Sequence, residues 1–307
     1  VLKPAEEACL TALAFADLAR QAGFPDGAIN VVPGLGAEAG AALTCHPGIG
    51  HISFTGSVAT GRLVQAAAAQ NVVPVTLELG GKSPQLVFAD ADLDTALPFL
   101  VNAGLQNAGQ TCSASSRILI ERSHFDEVAE RMAGAYRGKV AAPAMTDRDL
   151  GPLISSRQKE IVTGYLDLAG QGQRIAEGQI APDAPETGHY VPPVLLAGVA
   201  PEDRLAQEEI FGPVQVLIPF DDEDHAISIA NGTPYGLVAS VWSGDGGRQM
   251  RLAKRLRAGQ IFLNNYGAAG GVELPFGGTG LSGHGREKGF EALAAFSSLK
   301  TVAAHHG

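Results

Sequence analysis

The sequence predicts an α/β protein in which helices cover strands that run mainly in parallel. Short apolar runs of strand length alternate with segments of helical periodicity through most of the chain, and such alternation favours parallel strands joined by helices. The composition is that of an ordinary globular protein, with 45% hydrophobic and 18% charged residues in a chain of 307. That length suffices for two domains, each with its own core.

The first part of the chain alternates helix and strand as far as Gly80-Gly81, a turn that we take as the candidate domain boundary. The opening helix is closed by Gly23, and Pro25 lies just beyond it. The predicted helices of this part are 5–22, 37–43 and 57–70, and its predicted strands are 28–32, 51–55 and 72–79.

The same alternation begins again after the glycine pair. The predicted strands are 85–88, 117–121, 214–220, 237–242 and 260–263, and the predicted helices are 92–107, 124–136, 222–230 and 246–257. The stretch 178–193 is rich in glycine and proline, and it is expected to be a loop with a sharp turn rather than a linker between domains.

Charge and cysteine content exclude several classes of protein. The net charge of −10 gives no support to a nucleic-acid or anionic-membrane role. The apolar stretches are too short and interrupted for a membrane span, and the scattered histidines predict no metal site. Three cysteines, an odd and sparse set, argue against a disulfide framework and for a reducing compartment. We therefore expect a cytoplasmic protein.

Two glycine loops compete for the role of a phosphate-binding loop. Gly34, Gly36 and Gly40 follow a predicted strand, but the last glycine comes one residue late for a dinucleotide fingerprint, and a tight turn is the simpler interpretation. The loop containing Gly56 and Ser57 also joins a strand to a helix, and Ser57 offers a capping hydroxyl beside free backbone N–H groups. Composition and spacing leave the choice open.

Cys112 is the candidate nucleophile because it alone of the cysteines lies in a polar turn of small residues, after a predicted helix. The thiolate is the reactive form of cysteine, and a helix beginning nearby would favour it. Cys9 and Cys45 lie among apolar or turn residues and are expected to be buried and inert. A buried structural cysteine is the alternative interpretation of Cys112.

Glu78 is the candidate general base. It ends an apolar predicted strand just before the glycine pair, and carboxylates are seldom buried without a function. Burial raises a carboxyl pKa toward the range in which it acts as a base. The alternative is a carboxylate paired with Lys82 or satisfied by N–H groups of the loop.

Several segments, in this order, resemble the aldehyde dehydrogenase family, and together they span nearly the whole chain. They are Lys3-Pro4-Ala5-Glu6, Phe54-Thr55-Gly56-Ser57, Leu77-Glu78-Leu79-Gly80-Gly81-Lys82-Ser83-Pro84, Gly109-Gln110-Thr111-Cys112, Glu208-Glu209-Ile210-Phe211-Gly212-Pro213, Tyr235-Gly236-Leu237, Pro275-Phe276-Gly277-Gly278 and Ser282-Gly283-His284-Gly285-Arg286-Glu287. Each segment alone is weakly specific, but their joint order is very specific.

The resemblance implies covalent oxidation of an aldehyde. Cys112 attacks the aldehyde carbon, hydride leaves for the nicotinamide, and Glu78 activates the water that hydrolyses the resulting thioester. The backbone N–H of Cys112 helps to bind the oxyanion. The expected partner is a small-molecule aldehyde.

The resemblance also assigns the cofactor residues. Lys3 and Glu6 resemble the pair that binds the adenosine ribose, and a carboxylate there favours NAD over NADP because it repels a 2′-phosphate. Gly56 and Ser57 resemble the pyrophosphate loop, which leaves Gly34 and Gly36 a structural role. The remaining cofactor residues implied are Leu79, Glu209 for the nicotinamide ribose, and Phe211 beside it.

The resemblance implies a domain plan and an assembly. Residues 1–80 would be the remaining part of a Rossmann-like NAD-binding domain, 81–281 the α/β catalytic domain, and 282–307 a C-terminal segment with an oligomerisation strand near 298–303. We expect a homodimer or homotetramer. The chain starts without Met, and we expect the family's N-terminal third, with its oxyanion-binding Asn, to be missing. The family's usual Lys is also absent from the Thr279-Gly280-Leu281 stretch.

The substrate itself is not fixed by the motifs. Gly270 and Phe276 belong to the region that lines the family's substrate entrance, and the small residues around Gly270 would leave that entrance open. Two other functions stay possible. One is a CoA-acylating semialdehyde dehydrogenase, against which Glu78 argues, and the other is a truncated relative that only binds a partner or has no activity.

Overall fold

The computed structural model describes residues 1–168, 172–267 and 271–307. The chain divides into two compact units, Val1–Thr76 and Leu77–Gly307. Among the described residues, no helix has the length and apolar character needed to cross a membrane.

The first unit is built from three helices and two strands. Its elements are helices α1 (Cys9–Gln21), α2 (Ala41–Thr44) and α3 (Val58–Ala69), strand β1 (Ile52–Thr55) and the start of strand β2 (Val75–Glu78). A 3-10 turn, Glu6–Ala8, precedes α1, and a π-helical turn, Gly36–Gly40, precedes α2. Strand β1 runs beside the start of β2, where the N–H of Ile52 donates to the Pro74 carbonyl over 3.1 Å.

The strand predicted at 28–32 is wrong. Val31 forms a single parallel bridge with Leu2, and the chain on either side of it is irregular. A strand needs a hydrogen-bonded neighbour over several residues, and Leu2 supplies only the bonds to the Asn30 carbonyl and the Val32 N–H.

The second unit is organised around a seven-stranded sheet. Its strand order is β12-β11-β3-β4-β9-β8-β6, and every neighbouring pair is parallel except β6 with β8. The strands are β3 (Pro84–Val87), β4 (Arg117–Glu121), β6 (Gln173–Glu177), β8 (Val194–Ala197), β9 (Val214–Phe220), β11 (Val238–Trp242) and β12 (Gln260–Leu263). The α/β fold class with parallel strands is confirmed.

Helices cover this sheet, and several begin at an aspartate that caps them. The helices are α4 (Leu93–Leu105), α5 (Phe125–Arg137), α6 (Ser156–Leu166), α7 (Arg204–Gln207), α8 (Glu223–Asn231), α9 (Gly246–Arg255) and α10 (Gly289–Ala295). Asp92, Asp222 and Asp245 accept N–H groups at the starts of α4, α8 and α9. Strands β3, β4 and β11 are buried almost throughout, which explains why they are continuous apolar runs in the sequence.

Three two-residue pairings, one of which involves the end of β2, complete the described strands of the second unit. They involve β5 (Val140–Ala141), β7 (Gln179–Ile180), β10 (Tyr235–Gly236), β13 (Thr279–Gly280) and β14 (Gly283–His284). Strand β5 pairs with β7, β10 with β13, and β14 with the end of β2. Residues 297–307 have no regular secondary structure. Because an edge strand needs a partner, the oligomerisation strand expected near 298–303 stays a prediction about assembled subunits.

The sheet brings the motif segments to one edge. In the parallel register Pro84 lies opposite Arg117, and Arg117 lies opposite Val216, so the three strands start at the same edge. The segments that lead into them contain the glycine pair, Cys112 and Glu209. This amino-terminal edge is therefore where candidate functional residues from distant parts of the sequence meet.

Arg117, the first residue of β4, stabilises this edge of the sheet through buried hydrogen bonds. It is 1% exposed, and its guanidinium donates to the carbonyls of Lys82, Ile229 and Ala230, each over 2.8 Å. Burial lowers the pKa of Arg117 to about 9. One side chain thus satisfies three buried carbonyls and ties the start of β3 to the end of α8.

Replacement of this arginine should be costly. Arg117→Leu removes the guanidinium donor from three carbonyls, of which that of Ile229 keeps the Gly232 N–H. We expect the free energy of unfolding to fall by about 2 kcal/mol or more, since each unsatisfied buried group costs roughly 1–3 kcal/mol. Urea denaturation measures this. The matched control is Arg122→Leu, at an exposed arginine whose partner is the exposed Asp221, where the loss should be at most about 1 kcal/mol. Equal losses in the two variants would contradict the assignment.

Candidate active site

Cys112 lies in a tight turn that follows helix α4. The N–H of Ala114 donates to the Thr111 carbonyl over 2.8 Å, so Cys112 and Ser113 are the two central residues of a β-turn. The expected turn after a helix is therefore present. Helix α4 ends before the turn, and among the described residues no helix begins at it. The helix N-terminus that the sequence analysis named as a feature favouring the thiolate is therefore not found beside Cys112.

Three consecutive residues with a left-handed backbone conformation connect helix α4 to this turn. Asn107, Ala108 and Gly109 have φ values of 52°, 54° and 75°. A side chain at Gly109 would clash with the Gly212 carbonyl, so this glycine is required both for its φ and for the close approach. The Gln110 side chain accepts the Ile154 N–H over 2.9 Å and donates to the Asn107 carbonyl over 3.1 Å.

The thiol of Cys112 is partly buried and faces negative charge. Burial raises its pKa to about 11, and the carboxylates of Glu209 and Glu78 add to this effect, whereas the backbone N–H of Ser113 opposes it. Cys45 is exposed and Cys9 is partly buried, so the prediction that both are buried is wrong. A thiol in this environment needs a proton acceptor nearby if it is to act as a nucleophile at neutral pH.

Glu78 is a buried carboxylate beside the thiol. It is 2% exposed, and neither of its carboxylate oxygens has a hydrogen-bond partner among the described residues. A methyl group placed on Gly277 would come within 2.5 Å of its Oε1 atom. Burial, together with the charge of Glu287, raises the pKa of Glu78 to about 8, although Arg286 acts in the opposite direction. Lys82 does not pair with it, so the alternative interpretation of Glu78 is not supported.

The glycine pair that follows Glu78 packs against the other two site residues. A methyl group at Gly80 would clash with the Glu209 carboxylate, and one at Gly81 would clash with the Cys112 carbonyl oxygen. The N–H of Gly81 donates to Glu209 Oε1 over 3.0 Å. The glycine pair, which the sequence suggested as a domain boundary, thus lies within the second unit and packs against the other residues of the candidate site.

Ser282 fixes the same segment from its other side and was not singled out from the sequence. It is fully buried. Its hydroxyl donates to the Gly80 carbonyl over 2.7 Å and accepts the Gly236 N–H over 3.0 Å, and its carbonyl accepts the Leu79 N–H over 3.1 Å. The sequence offered one indication that Ser282 is important, because this residue begins the last of the segments that resemble the family. A serine that is fully buried usually satisfies backbone groups in this way.

Phe211 and Glu209 lie on the segment before β9. Phe211 has a φ of 57° and is 36% exposed, and Gln158 holds its carbonyl over 2.9 Å. Burial raises the pKa of Glu209, while the Gly81 N–H lowers it. Glu209 and Phe211, which the resemblance places at the nicotinamide ribose, are therefore each fixed by a hydrogen bond that involves a backbone group.

The remaining predicted cofactor residues lie in the first unit. The Glu6 carboxylate accepts the Gly36 N–H over 2.6 Å and lies 3.6 Å from Lys3 Nζ, and backbone N–H groups lower its pKa. This contact gives the Gly36 loop a structural role. Ser57 caps helix α3 by accepting the Thr60 N–H.

These residues fit a dinucleotide. Glu6 is ionised and half exposed, as an acceptor for ribose hydroxyls must be. A methyl group at Gly56 would come within 2.5 Å of the Phe54 ring, so a glycine is required here, and backbone N–H groups at the start of α3 can bind a phosphate.

The predicted substrate residues are described in part. Gly270 lies outside the described residues. Phe276 is half-buried and forms an antiparallel bridge with Glu287, and Lys288 lies 5.5 Å above its ring. Phe276 immediately precedes Gly277, the residue that contacts Glu78.

Comparison with known proteins agrees with this arrangement. The model of the aldehyde dehydrogenase family matches residues 1–302. The chain is 42% identical over 309 residues to "Aldehyde dehydrogenase, cytosolic 1" of Rattus norvegicus, covering 99% of this chain and 60% of the relative. The chain therefore spans about 60% of the length of such a relative.

Solved structures give the same result. A crystal structure of a Burkholderia cenocepacia protein assigned to the aldehyde dehydrogenases is 62% identical, with a TM-score of 0.98 over 99% of this chain and 64% of the other. The NAD+ complex of an aldehyde dehydrogenase from Bacillus cereus is 38% identical, with a TM-score of 0.93 over 98% and 61%. The fold is that of the aldehyde dehydrogenases, and this chain belongs to the aldehyde dehydrogenase family.

Glu78 should make stability depend on pH. Because its pKa rises from 4.5 to about 8 on folding, the folded protein holds a proton between these values that the unfolded chain releases. Its contribution is therefore lost as pH rises through this window. Glu78→Gln should become progressively more stable than the wild type, by up to about 1.4 kcal/mol per pH unit. Urea denaturation between pH 5 and 9 measures the difference, and Glu202→Gln, at an exposed position, should show no such trend.

Proposed function

We propose that this protein oxidises an aldehyde to a carboxylic acid with NAD, using Cys112 as nucleophile and Glu78 as general base. The observation that carries this proposal is Glu78, a buried carboxyl beside the thiol with both oxygens unpartnered among the described residues and a pKa of about 8. A general base works best when its pKa lies near the working pH. Membership of the family supports the reaction class.

The proposed reaction has an acylation and a deacylation stage. Cys112 Sγ bonds to the aldehyde carbon as its proton is transferred to Glu78, and the carbonyl oxygen becomes the oxyanion of a thiohemiacetal. The Cys112 N–H is proposed as one donor to that oxygen. Bound NAD supplies the hydride acceptor, so that carbon is oxidised and a thioester remains. After Glu78 has released the Cys112 proton to solvent, it takes a proton from water as the water oxygen attacks the thioester carbon. The carbon–sulfur bond then breaks, the proton on Glu78 returns to the Cys112 sulfur, and the acid leaves.

The cofactor proposal assigns a part of NAD to each group of predicted residues. Lys3 and Glu6 are proposed to bind the adenosine ribose, and Gly56 and Ser57 the pyrophosphate. Leu79, Glu209 and Phe211 are proposed to contact the nicotinamide riboside. An ionised Glu6 disfavours a 2′-phosphate, which favours NAD over NADP. The NAD+ complex of the Bacillus cereus relative supports this choice.

Two alternatives are less well supported. A CoA-acylating enzyme would transfer the acyl group to CoA and would have no need for a base at Glu78. A relative that only binds would have no reason to keep a carboxyl buried at an energetic cost. We further propose that the protein is cytoplasmic and assembles as a homodimer or homotetramer, with Gly270 and Phe276 at the substrate entrance.

Loss of the thiol should abolish the reaction. Cys112→Ala should form no NADH from an aldehyde and NAD, because no thiohemiacetal can form, whereas Cys9→Ala and Cys45→Ala should remain active. Mass spectrometry of protein quenched during turnover should find the acyl adduct on Cys112. An acyl adduct on Cys9 or Cys45 would refute the assignment.

Loss of the base should stop the reaction at the thioester. Glu78→Gln should give a burst of NADH and then turn over about 10²–10⁴-fold more slowly, with acyl-Cys112 visible by mass spectrometry. In the wild type, the deacylation rate should rise with pH and level off above about 8, and this dependence should vanish in the variant. Acceleration by added CoA would favour the CoA-acylating alternative, and unchanged turnover would exclude Glu78 as the base.

A further inference from the structure

A tyrosine far along the chain contacts the nucleophile turn. The hydroxyl of Tyr266 donates to the Ser113 carbonyl over 2.6 Å. Ser113 follows Cys112 and is the second central residue of the turn that Ala114 and Thr111 close. Its carbonyl points out of this turn, and the tyrosine therefore restrains the turn from outside.

The backbone around Tyr266 is itself held firmly. Asn264 has a φ of 46°, and its side chain accepts the Ser243 N–H over 3.0 Å and donates to the Ser243 carbonyl over 3.1 Å. The next residue, Asn265, accepts the Ser240 hydroxyl through its carbonyl over 2.7 Å. The chain thus folds back over β11 after β12 ends, and Tyr266 is presented from a restrained turn.

The tyrosine remains a hydrogen-bond donor throughout the working pH range. Burial raises the pKa of its hydroxyl above the ordinary value, and the Cys112 thiolate raises it further, although the hydroxyls of Ser83 and Ser115 act in the opposite direction. A neutral phenol can donate to Ser113, whereas a phenolate could not.

The residue that Tyr266 restrains also contacts the sulfur. The charged and titratable groups that face Cys112 among the described residues are Glu209, Glu78 and Tyr266, and both carboxylates raise the pKa of the thiol. The Ser113 and Cys112 backbone N–H groups lower it. These amides point at the sulfur only while the turn keeps its shape.

We propose that Tyr266 is a positioning residue for the nucleophile, whose hydroxyl fixes Ser113 so that the amides of the turn stay directed at the Cys112 sulfur. The inference rests on the proposed function, because it assumes that Cys112 reacts as a thiolate. Removing the hydroxyl lets the Ser113 peptides rotate, which withdraws donors from the thiolate and lowers its population at a given pH.

The test is the pH profile of Cys112 alkylation, which needs neither aldehyde nor NAD. Tyr266→Phe removes only the hydroxyl. We expect iodoacetamide to label Cys112 about five- to tenfold more slowly at pH 8, as the loss of one hydrogen bond implies, with the profile shifted to higher pH. Tyr190→Phe is the matched control, because this tyrosine is also buried and lies in the loop before β8, and its profile should equal that of the wild type.

Replacing Tyr266 by 4-aminophenylalanine supplies a second comparison, since an aniline N–H still donates, though more weakly. We expect an intermediate profile, and if Tyr266→Phe does not melt cooperatively, this comparison with the wild type decides. An unchanged profile in the folded Tyr266 variants, or an equal shift in Tyr190→Phe, would overturn this inference alone. Wild-type protein that forms no acyl adduct on Cys112 with an aldehyde and NAD would overturn the proposed function and this inference together.

Discussion

The candidate site depends on the close packing of two consecutive glycines, Gly80 and Gly81, against two other segments of the chain. Gly80 lies against the Glu209 carboxylate and Gly81 against the Cys112 carbonyl, with no space for a side chain at either position. The Gly81 N–H then donates to Glu209. Because Glu78 lies two residues before this contact, one short segment sets the positions of the proposed base, the proposed nucleophile and Glu209 relative to one another.

Burial gives this assembly its chemical character. At a water-exposed position a carboxyl and a thiol would ionise near their ordinary pKa values, but here burial raises the pKa of Glu78 to about 8 and that of Cys112 to about 11. Lys82 lies in the same interior, where burial and Arg117 lower the pKa of its amine to about 7 while Glu209 and Glu208 raise it. Burial thus disfavours the charged form of all three side chains. Their ionisation therefore depends strongly on the few charges and dipoles that lie close to them.

The position of the site on the sheet also follows from the fold. In open α/β sheets, ligands usually bind outside the carboxyl ends of the strands. Here the glycine pair, the Cys112 turn and Glu209 all lie on segments that lead into β3, β4 and β9. The buried Arg117 bridges the carbonyls beneath this edge, which gives these irregular segments a rigid support.

The sequence by itself determined the α/β class and most of its elements, and it was sufficient to propose Cys112 and Glu78 as the reactive residues. Strands 117–121, 214–220 and 260–263 were predicted with the bounds that are observed, because each is an apolar run ended by polar residues or turns. Local pattern could not determine whether 28–32 had a neighbour to pair with, and no strand forms there. Nor could it identify Tyr266, whose partner Ser113 lies 153 residues away, or the reason for each glycine. Only the tertiary structure decides such contacts, because hydrogen bonds and steric contacts between distant segments depend on how the strands are ordered in the sheet.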